Sequence, residues 1–195
     1  MLTLRDIKRL GIMGGTFDPI HYGHLLSAQA VMQRLRLDGV LFVPAGLSPF
    51  KRGKELADGH HRLRMVELAI GDNPRFFASP IEIKRAGVTY TIDTIKELAA
   101  EYPNAELYFI IGADQAANLD KWKDMDGLRK ICNFVCTNRP GFEAGASQKN
   151  VFYVEIPAWD VSSTMIRERV KAGEGVKYLV PPDVEVYVNE HGFYS

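Results

Sequence analysis

The sequence predicts an α/β fold: a mostly parallel, doubly wound sheet with helices on both faces. Three observations point to it. Short apolar runs alternate with amphipathic stretches of helical length, the rhythm of strands joined by helical crossovers. The runs Val40 to Pro44 and Leu107 to Ile111 are apolar throughout, as strands covered on both faces are. A glycine pair, Gly14-Gly15, lies where a first strand would turn into a first helix, the phosphate-binding corner of such sheets.

Strand one is expected over Leu10 to Met13, followed by a helix from Tyr22 to Leu35 and a second strand from Val40 to Pro44. Ala45 to Gly59, with Pro49, Lys51, Arg52 and Lys54 among small and polar residues, reads as a loop, and His61 to Ile70 as a helix. Phe76-Phe77 is a short strand, and Ile81 to Lys84 has strand alternation. Thr91 to Glu101 places Ile92, Ile95, Leu98 and Ala99 at helical spacing and stops before Pro103. Beyond the Leu107 to Ile111 strand, Ala113 to Leu119 reads as a short helix and Trp122 to Arg129 as a loop with a helical turn. Ile131 to Thr137 and Val151 to Glu155 complete the strands. Gly141 to Asn150 is the candidate mobile loop. Ser163 to Ala172 and Pro182 to Glu190 read as helices, the second opened by a proline at a position whose N–H has no helical partner.

With 195 residues the chain reads as one domain, 1–195, with neither repeat nor linker. Folding at this size buries roughly 70% of the unfolded surface, so no disulfide or metal staple is needed. The 24 Lys+Arg balance 24 Asp+Glu, which removes the electrostatic reason to expect a nucleic-acid binder. No apolar run approaches the ~20 residues of a membrane span. The first residues lack the marks of a secretory signal, so a cytoplasmic location is expected. Cys132 and Cys136 fall in one expected strand, about 13 Å apart, too far to bridge. They are expected as two buried free thiols.

The informative segment is Gly14-Gly15-Thr16-Phe17-Asp18-Pro19-Ile20-His21-Tyr22-Gly23-His24. Glycines let a backbone approach an anion, and the first amides of the following helix carry partial positive charge. On a helical first turn His21 and His24 share a face, Gly23 between them leaves room for a ligand, and protonation near neutral pH would strengthen both as phosphate donors. A P-loop is excluded because no Gly-Lys-Ser/Thr follows, and the G-x-G-x-x-G dinucleotide fingerprint is missing. No third ligand stands at metal spacing beside the histidines, so no protein-borne metal site is expected.

A second constellation, Ser162-Ser163-Thr164-Met165-Ile166-Arg167, opens an amphipathic helix. Hydroxyls there serve as N-caps, and that alone would explain them. Three hydroxyls with a guanidinium also make an anion site. Two such helix starts from opposite ends of one chain suggest a triphosphate held between them.

The pairing of Gly14-Gly15-Thr-Phe-Asp-Pro-Ile-His-x-Gly-His24 with Ser162-Ser-Thr-x-Ile-Arg167 resembles the nucleotidyltransferase superfamily that carries H-x-G-H, and within it the bacterial nicotinate-nucleotide adenylyltransferases. The resemblance extends to Glu82-Ile-Lys-Arg85, Thr89-Tyr-Thr-Ile-Asp-Thr94, Phe109-Ile-Ile-Gly-Ala-Asp114, Asn118-Leu-x-x-Trp122, Arg139-Pro-Gly141, and Tyr178-Leu-Val-Pro181 through His191-Gly-Phe-Tyr194. H-x-G-H alone marks the superfamily; the later segments in this order are more specific.

The resemblance implies a Rossmann-like sheet and transfer of the adenylyl group of ATP, with Mg2+, to nicotinate mononucleotide, giving the dinucleotide precursor of NAD and pyrophosphate. It assigns catalysis to His21, His24 and Arg167. ATP would meet Gly14, Gly15, Thr16, Phe17, His21, His24, Gly112, Asp114, Ser162, Ser163, Thr164 and Arg167. The mononucleotide would meet Asp18, Lys51, the Thr89-Tyr90 backbone, Trp122, Lys123 and Arg139. Trp122 can stack on a pyridine ring or pack under a loop. Asp114 can instead be a helix N-cap, and Lys51 part of a solvated basic loop. One departure stands out: where family members often carry Pro-Pro-His-Lys, this chain reads Leu47-Ser-Pro-Phe-Lys51, so Phe50 replaces the histidine. Homo-oligomerisation is left open. The rival readings are a sister transferase with another acceptor, an aminoacyl-tRNA synthetase fragment, disfavoured by the missing Lys-Met-Ser-Lys-type loop, and a nucleotide sensor without catalysis.

Overall fold

The computed structural model describes residues 6–46, 56–85, 87–116, 118–138, 151–156 and 160–195. Among them, β1 (Arg9–Gly15), β2 (Gly39–Pro44), β3 (Phe76–Ala78), β4 (Glu106–Gly112), β5 (Asn133–Asn138) and β6 (Val151–Glu155) form one sheet in the order β3-β2-β1-β4-β5-β6. Every pairing is parallel. The helices are α1 (Tyr22–Arg34), α2 (Gly59–Ile70), α3 (Ile81–Lys84), α4 (Thr91–Glu101), α5 (Ala113–Ala116), α6 (Met125–Ile131), α7 (Ser163–Lys171) and α8 (Pro182–Glu190). This is the doubly wound α/β architecture that the alternating pattern predicts.

Period-two alternation along each strand sends side chains to two cores. Met13, Val40, Phe42, Tyr108 and Ile110 face α1, α2, α7 and α8. Leu10, Ile12, Leu41, Val43, Leu107, Phe109 and Ile111 face α4 and α6. A ring such as Phe42, fully buried, contributes about 1.5–3 kcal/mol relative to exposure. The strand order reverses between β1 and β4, so their carboxyl ends, at Gly15 and Gly112, open a crevice of the kind that holds ligands in such sheets.

Three local expectations are corrected. Ile81–Lys84 is a helical turn, not a strand. The Lys84 N–H closes onto the Pro80 carbonyl at 2.9 Å, and the turn aims Glu82 at donors from neighbouring segments. Four residues of alternation could not separate the two states. A full helix, α6, replaces the expected loop, capped by Asp124, which accepts from the Gly127 N–H at 3.0 Å. Strand β5 consequently starts at Asn133, and Cys132 closes α6 instead of lying in the strand. Both thiols are buried and neither is in a disulfide, and burial pushes the Cys132 thiol up to about 12. The remaining boundaries agree with expectation within two residues, except that the Ala113 to Leu119 helix splits into α5 and a 3-10 turn over Leu119–Lys121. Most of the Ala45 to Gly59 loop and all of Gly141 to Asn150 lie outside the described residues. No helix among the described residues is long and apolar enough to cross a membrane.

Candidate active site

The segment between β1 and α1 is built from inside. Phe17 adopts a left-handed backbone (φ 52°) and turns its ring into the core, 1% exposed, against Phe42. A Cβ at Gly15 would lie 2.8 Å from that ring, so Gly15 is required by Phe17 as well as by any approaching ligand. The expectation of Phe17 as an ATP contact is therefore corrected for its side chain, which is sealed in the core. Ala45 N–H donates to the Gly15 carbonyl at 2.7 Å, tying the end of β2 to the same corner.

Asp18 is likewise buried, 1% exposed. Its Oδ1 accepts from the Tyr194 hydroxyl at 2.7 Å and from the Ala57 N–H at 3.2 Å, while Oδ2 has no hydrogen-bond partner. The expected substrate contact is corrected on this ground: a carboxylate so enclosed acts as an internal anchor. Burial of Tyr194, with its bond to Asp18, raises the phenol's pKa well above the ordinary tyrosine value. From behind, Arg62 donates to the Thr16 carbonyl at 2.8 Å and the Ala57 carbonyl at 2.9 Å.

His21 is the N-cap of α1, with extended backbone. Its N–H donates to His24 Nδ1 at 3.3 Å, and the two rings stack with centroids 3.7 Å apart. An accepting Nδ1 puts the proton of neutral His24 on Nε2. A Cβ at Gly23 would come within 3.0 Å of His21 Nδ1, so Gly23 makes room for the imidazole; the expectation that it makes room for a ligand is revised accordingly. His21 is 5% exposed and burial lowers its pKa to about 4, so it is neutral at pH 7 and the strengthening that protonation would give is not available at this position. One α1 amide is already taken: Tyr22 N–H donates to the Leu179 carbonyl at 3.1 Å.

The second constellation meets the first. Ser162 caps α7 by accepting from Met165 N–H at 3.2 Å. Ser163 Oγ donates to the Pro19 carbonyl at 2.9 Å. Arg167 Nη1 donates to the Asp18 carbonyl at 2.7 Å, and Nη2 to Thr164 Oγ1 at 3.3 Å. Two of the guanidinium's five donors are thus engaged by these bonds. The two helix starts are joined through two carbonyls of the β1–α1 segment.

On the other side of the switch point, Thr89 is buried and Tyr90 is the N-cap of α4. Lys123 Nζ lies 4.2 Å from the Tyr90 ring centroid and 3.7 Å from Asp93, which brings the Trp122-Lys123 pair beside the start of α4. Trp122 sets its ring edge-on to Phe109 and Phe134, with centroids 5.8 and 6.2 Å away. The Asp93 N–H is bonded to the Tyr90 carbonyl at 3.0 Å, and the two amides before it, of Thr91 and Ile92, have no preceding helical turn to donate to and suit an anion. Gly112 ends β4 at the crevice. Lys51, Phe50 and Arg139 lie outside the described residues, as does the side chain of Asp114.

Arg62, Tyr194 and Glu82 were not singled out for the site by sequence. Arg62 left a signal: with Met65, Val66, Ala69 and Ile70 it occupies the buried stripe of α2, a charged residue on an apolar face. Tyr194 left none, since its partner lies 176 residues away.

An open parallel sheet whose β1–α1 corner is joined to the start of α7 suits a nucleotidyltransferase, and residues 12–169 match the cytidylyltransferase-like family, which gives that class. Nearly the whole chain aligns with a protein of Thermoanaerobacter sp. (strain X514) described as a probable nicotinate-nucleotide adenylyltransferase, 49% identical over 96% of this chain and 94% of that one. The nicotinate-nucleotide adenylyltransferase of Bacillus subtilis (strain 168) is 43% identical over 97% of this chain and 100% of its own length. This chain belongs to the nicotinate-nucleotide adenylyltransferases. In fold it also superposes on the Plasmodium falciparum nicotinic acid mononucleotide adenylyltransferase complexed with NaAD, with a TM-score of 0.80 at 22% identity, covering 96% of this chain and 97% of that one.

Proposed function

We propose that this chain transfers the adenylyl group of ATP to nicotinate mononucleotide, releasing pyrophosphate and nicotinate adenine dinucleotide, as its family name states. The observation that carries the site assignment is the junction of the two helix starts, with Arg167 bonded to the Asp18 carbonyl and Ser163 to that of Pro19. It supports a single polyphosphate site made from both ends of the fold.

The acceptor phosphate oxygen attacks the α-phosphorus of ATP as the bond to the β-phosphate oxygen breaks. That phosphate is largely dianionic at pH 7, its second pKa being about 6, so no protein base is needed. Catalysis then consists of alignment and of stabilising charge on the α-phosphate and the departing pyrophosphate. His24 presents an Nε2–H donor, His21 backs it as a neutral stacked ring, and Arg167 with Ser162, Ser163 and Thr164 closes the opposite side. Thr16 and the backbone of Gly14 and Gly15 form the floor. Each charge-assisted contact contributes about 1.5–3 kcal/mol. The donor set consists of imidazoles, hydroxyls and a guanidinium, which suit phosphate oxygens; Asp18, the buried carboxylate among the described residues, gives Oδ1 to Tyr194 and Ala57 and has Oδ2 enclosed beside Arg167. A Mg2+ ion would therefore be held by the ATP phosphates, not by a dedicated set of protein ligands, and would supply charge neutralisation there. Gly112, with Asp114 by resemblance, is assigned to the adenosine or the bridging region. The Thr89-Tyr90 backbone, Trp122 and Lys123 receive the nicotinate moiety; Lys51 and Arg139 stay assigned to the mononucleotide by resemblance alone. A cytoplasmic location accords with these soluble substrates.

The test is pyrophosphate release by purified protein with Mg2+ and ATP, offering nicotinate mononucleotide, nicotinamide mononucleotide or phosphopantetheine in parallel. Strong preference for the acid mononucleotide is expected. Preference for another acceptor overturns the acceptor assignment, and ATP binding without turnover on any of the three overturns the enzymatic reading.

A further inference from the structure

Glu82 belongs to neither the phosphate-binding corner nor the acceptor wall as assigned above, yet its carboxylate lies where both are fastened. Oε2 accepts from Thr89 Oγ1 at 2.9 Å and from the Gly46 N–H at 3.2 Å. Oε1 accepts from Thr94 Oγ1 at 2.8 Å. The three donors come from the end of β2, the approach to α4 and the first turn of α4. Thr94 in turn accepts from Arg85 Nη1 at 2.9 Å, and Arg85 is ion-paired with Glu97. Thr89 and Thr94 are 6% and 1% exposed, so their hydroxyls need partners within the protein; Glu82 offers each its shortest acceptor, the alternative for Thr94 being the Tyr90 carbonyl at 3.5 Å. Packing at the junction is close: a Cβ on Gly46 would lie 2.5 Å from the Glu82 carbonyl oxygen and 2.8 Å from Thr89 Cγ2.

The network has a chemical consequence. The single hydroxyl proton of Thr89 is directed to Glu82, so that hydroxyl cannot also donate to a substrate carboxylate. What remains on this wall for an anion are the backbone amides around Tyr90, whose placement Glu82 sets by holding Thr89 on one side and Thr94 on the other. The glycine corner keeps its own tie, since the Ala45 N–H is bonded to the Gly15 carbonyl at 2.7 Å through backbone alone, so losing the Glu82 carboxylate loosens this wall and not that corner.

We infer that Glu82 is a positioning residue for the acceptor: its carboxylate holds Gly46, Thr89 and Thr94 so that the amides at the start of α4 meet the acidic mononucleotide. This rests on the acceptor assignment proposed above. The test is steady-state pyrophosphate release by the full chain and by Glu82→Gln, varying each substrate at saturation of the other. A glutamine side chain has one acceptor oxygen where the carboxylate has two, so at least one donor loses its partner. KM for nicotinate mononucleotide rises about tenfold while KM for ATP stays within about twofold, the pattern of lost acceptor binding. Thr94→Val removes one donor only and gives a smaller rise of the same kind; it decides the matter if Glu82→Gln does not fold. No change, a rise shared with ATP, or a fall in kcat alone overturns the role of Glu82. Lack of transfer to nicotinate mononucleotide by the unaltered protein overturns the proposed function instead.

Discussion

Arg167 Nη1 donates to the main-chain carbonyl of Asp18 at 2.7 Å, joining positions 149 residues apart. Because the acceptor is backbone, the bond sets α7 against the turn that launches α1. The same nitrogen stands 3.9 Å from Asp18 Oδ2, so charge reinforces the placement. A guanidinium can do this and still face phosphates because its donors fan out in a plane; a lysine ammonium lacks that geometry.

Gly23 is spaced for an imidazole. In Gly23→Ala the new methyl meets His21 Nδ1 and Cε1 at 3.0 and 3.1 Å and pushes the stacked pair by a few tenths of an ångström. Alanine favours the helix by roughly 0.5–1 kcal/mol, which offsets strain in the folded state. Turnover should drop about tenfold, because small misplacements at a reacting centre are costly, with Tm little changed. Unaltered kcat in steady-state assays would show that the ring position is not critical.

Burial of neutral His21 makes stability depend on pH. Its pKa is about 4 in the folded protein against 6.5 ordinarily, so the unfolded chain binds the extra proton between those values. The stabilisation is fully present above pH 6.5 and is lost as pH falls toward 4, by on the order of 3 kcal/mol. Urea denaturation at pH 7 and pH 4.5 should show a steeper loss for the unaltered protein than for His21→Asn. Equal losses would mean that His21 is not held neutral.

Tyr194→Phe withdraws the 2.7 Å hydrogen bond from buried Asp18, leaving Oδ1 with the Ala57 N–H. An under-satisfied buried carboxylate costs about 1–3 kcal/mol. At this chain length that lowers Tm by about 2–12 °C, measurable by calorimetry. An unchanged Tm would contradict the anchoring role of Asp18.

Trp122 meets Phe109 and Phe134 edge-on and is only partly buried. Trp122→Ala should raise KM for nicotinate mononucleotide by about tenfold, through loss of an aromatic face, and leave KM for ATP unchanged. A rise in KM for ATP would move this residue to the wrong half of the site.

The sheet, its parallel sense and the two helix starts were legible because they follow from local pattern: apolar runs, helical spacing, and glycines or hydroxyls at element ends. What stayed hidden depends on distant partners. Asp18 reads as an exposed site carboxylate until Ala57, Arg167 and Tyr194 close around it. Phe17 sits in a polar, glycine-rich string, and only its positive φ turns it inward. Glu82 appeared in a strand-like tetrapeptide because alternation over four residues also fits one helical turn; its role emerges from donors 7 to 36 residues away.

The central claim is that the paired imidazoles and the Arg167 helix form one catalytic phosphate site. The most direct test is turnover of His24→Ala with saturating ATP and nicotinate mononucleotide, alongside ATP binding. Loss of a donor aimed at developing phosphate charge predicts at least about a hundredfold fall in kcat with ATP still bound. Near-normal turnover would contradict the claim and remove this corner from the chemistry.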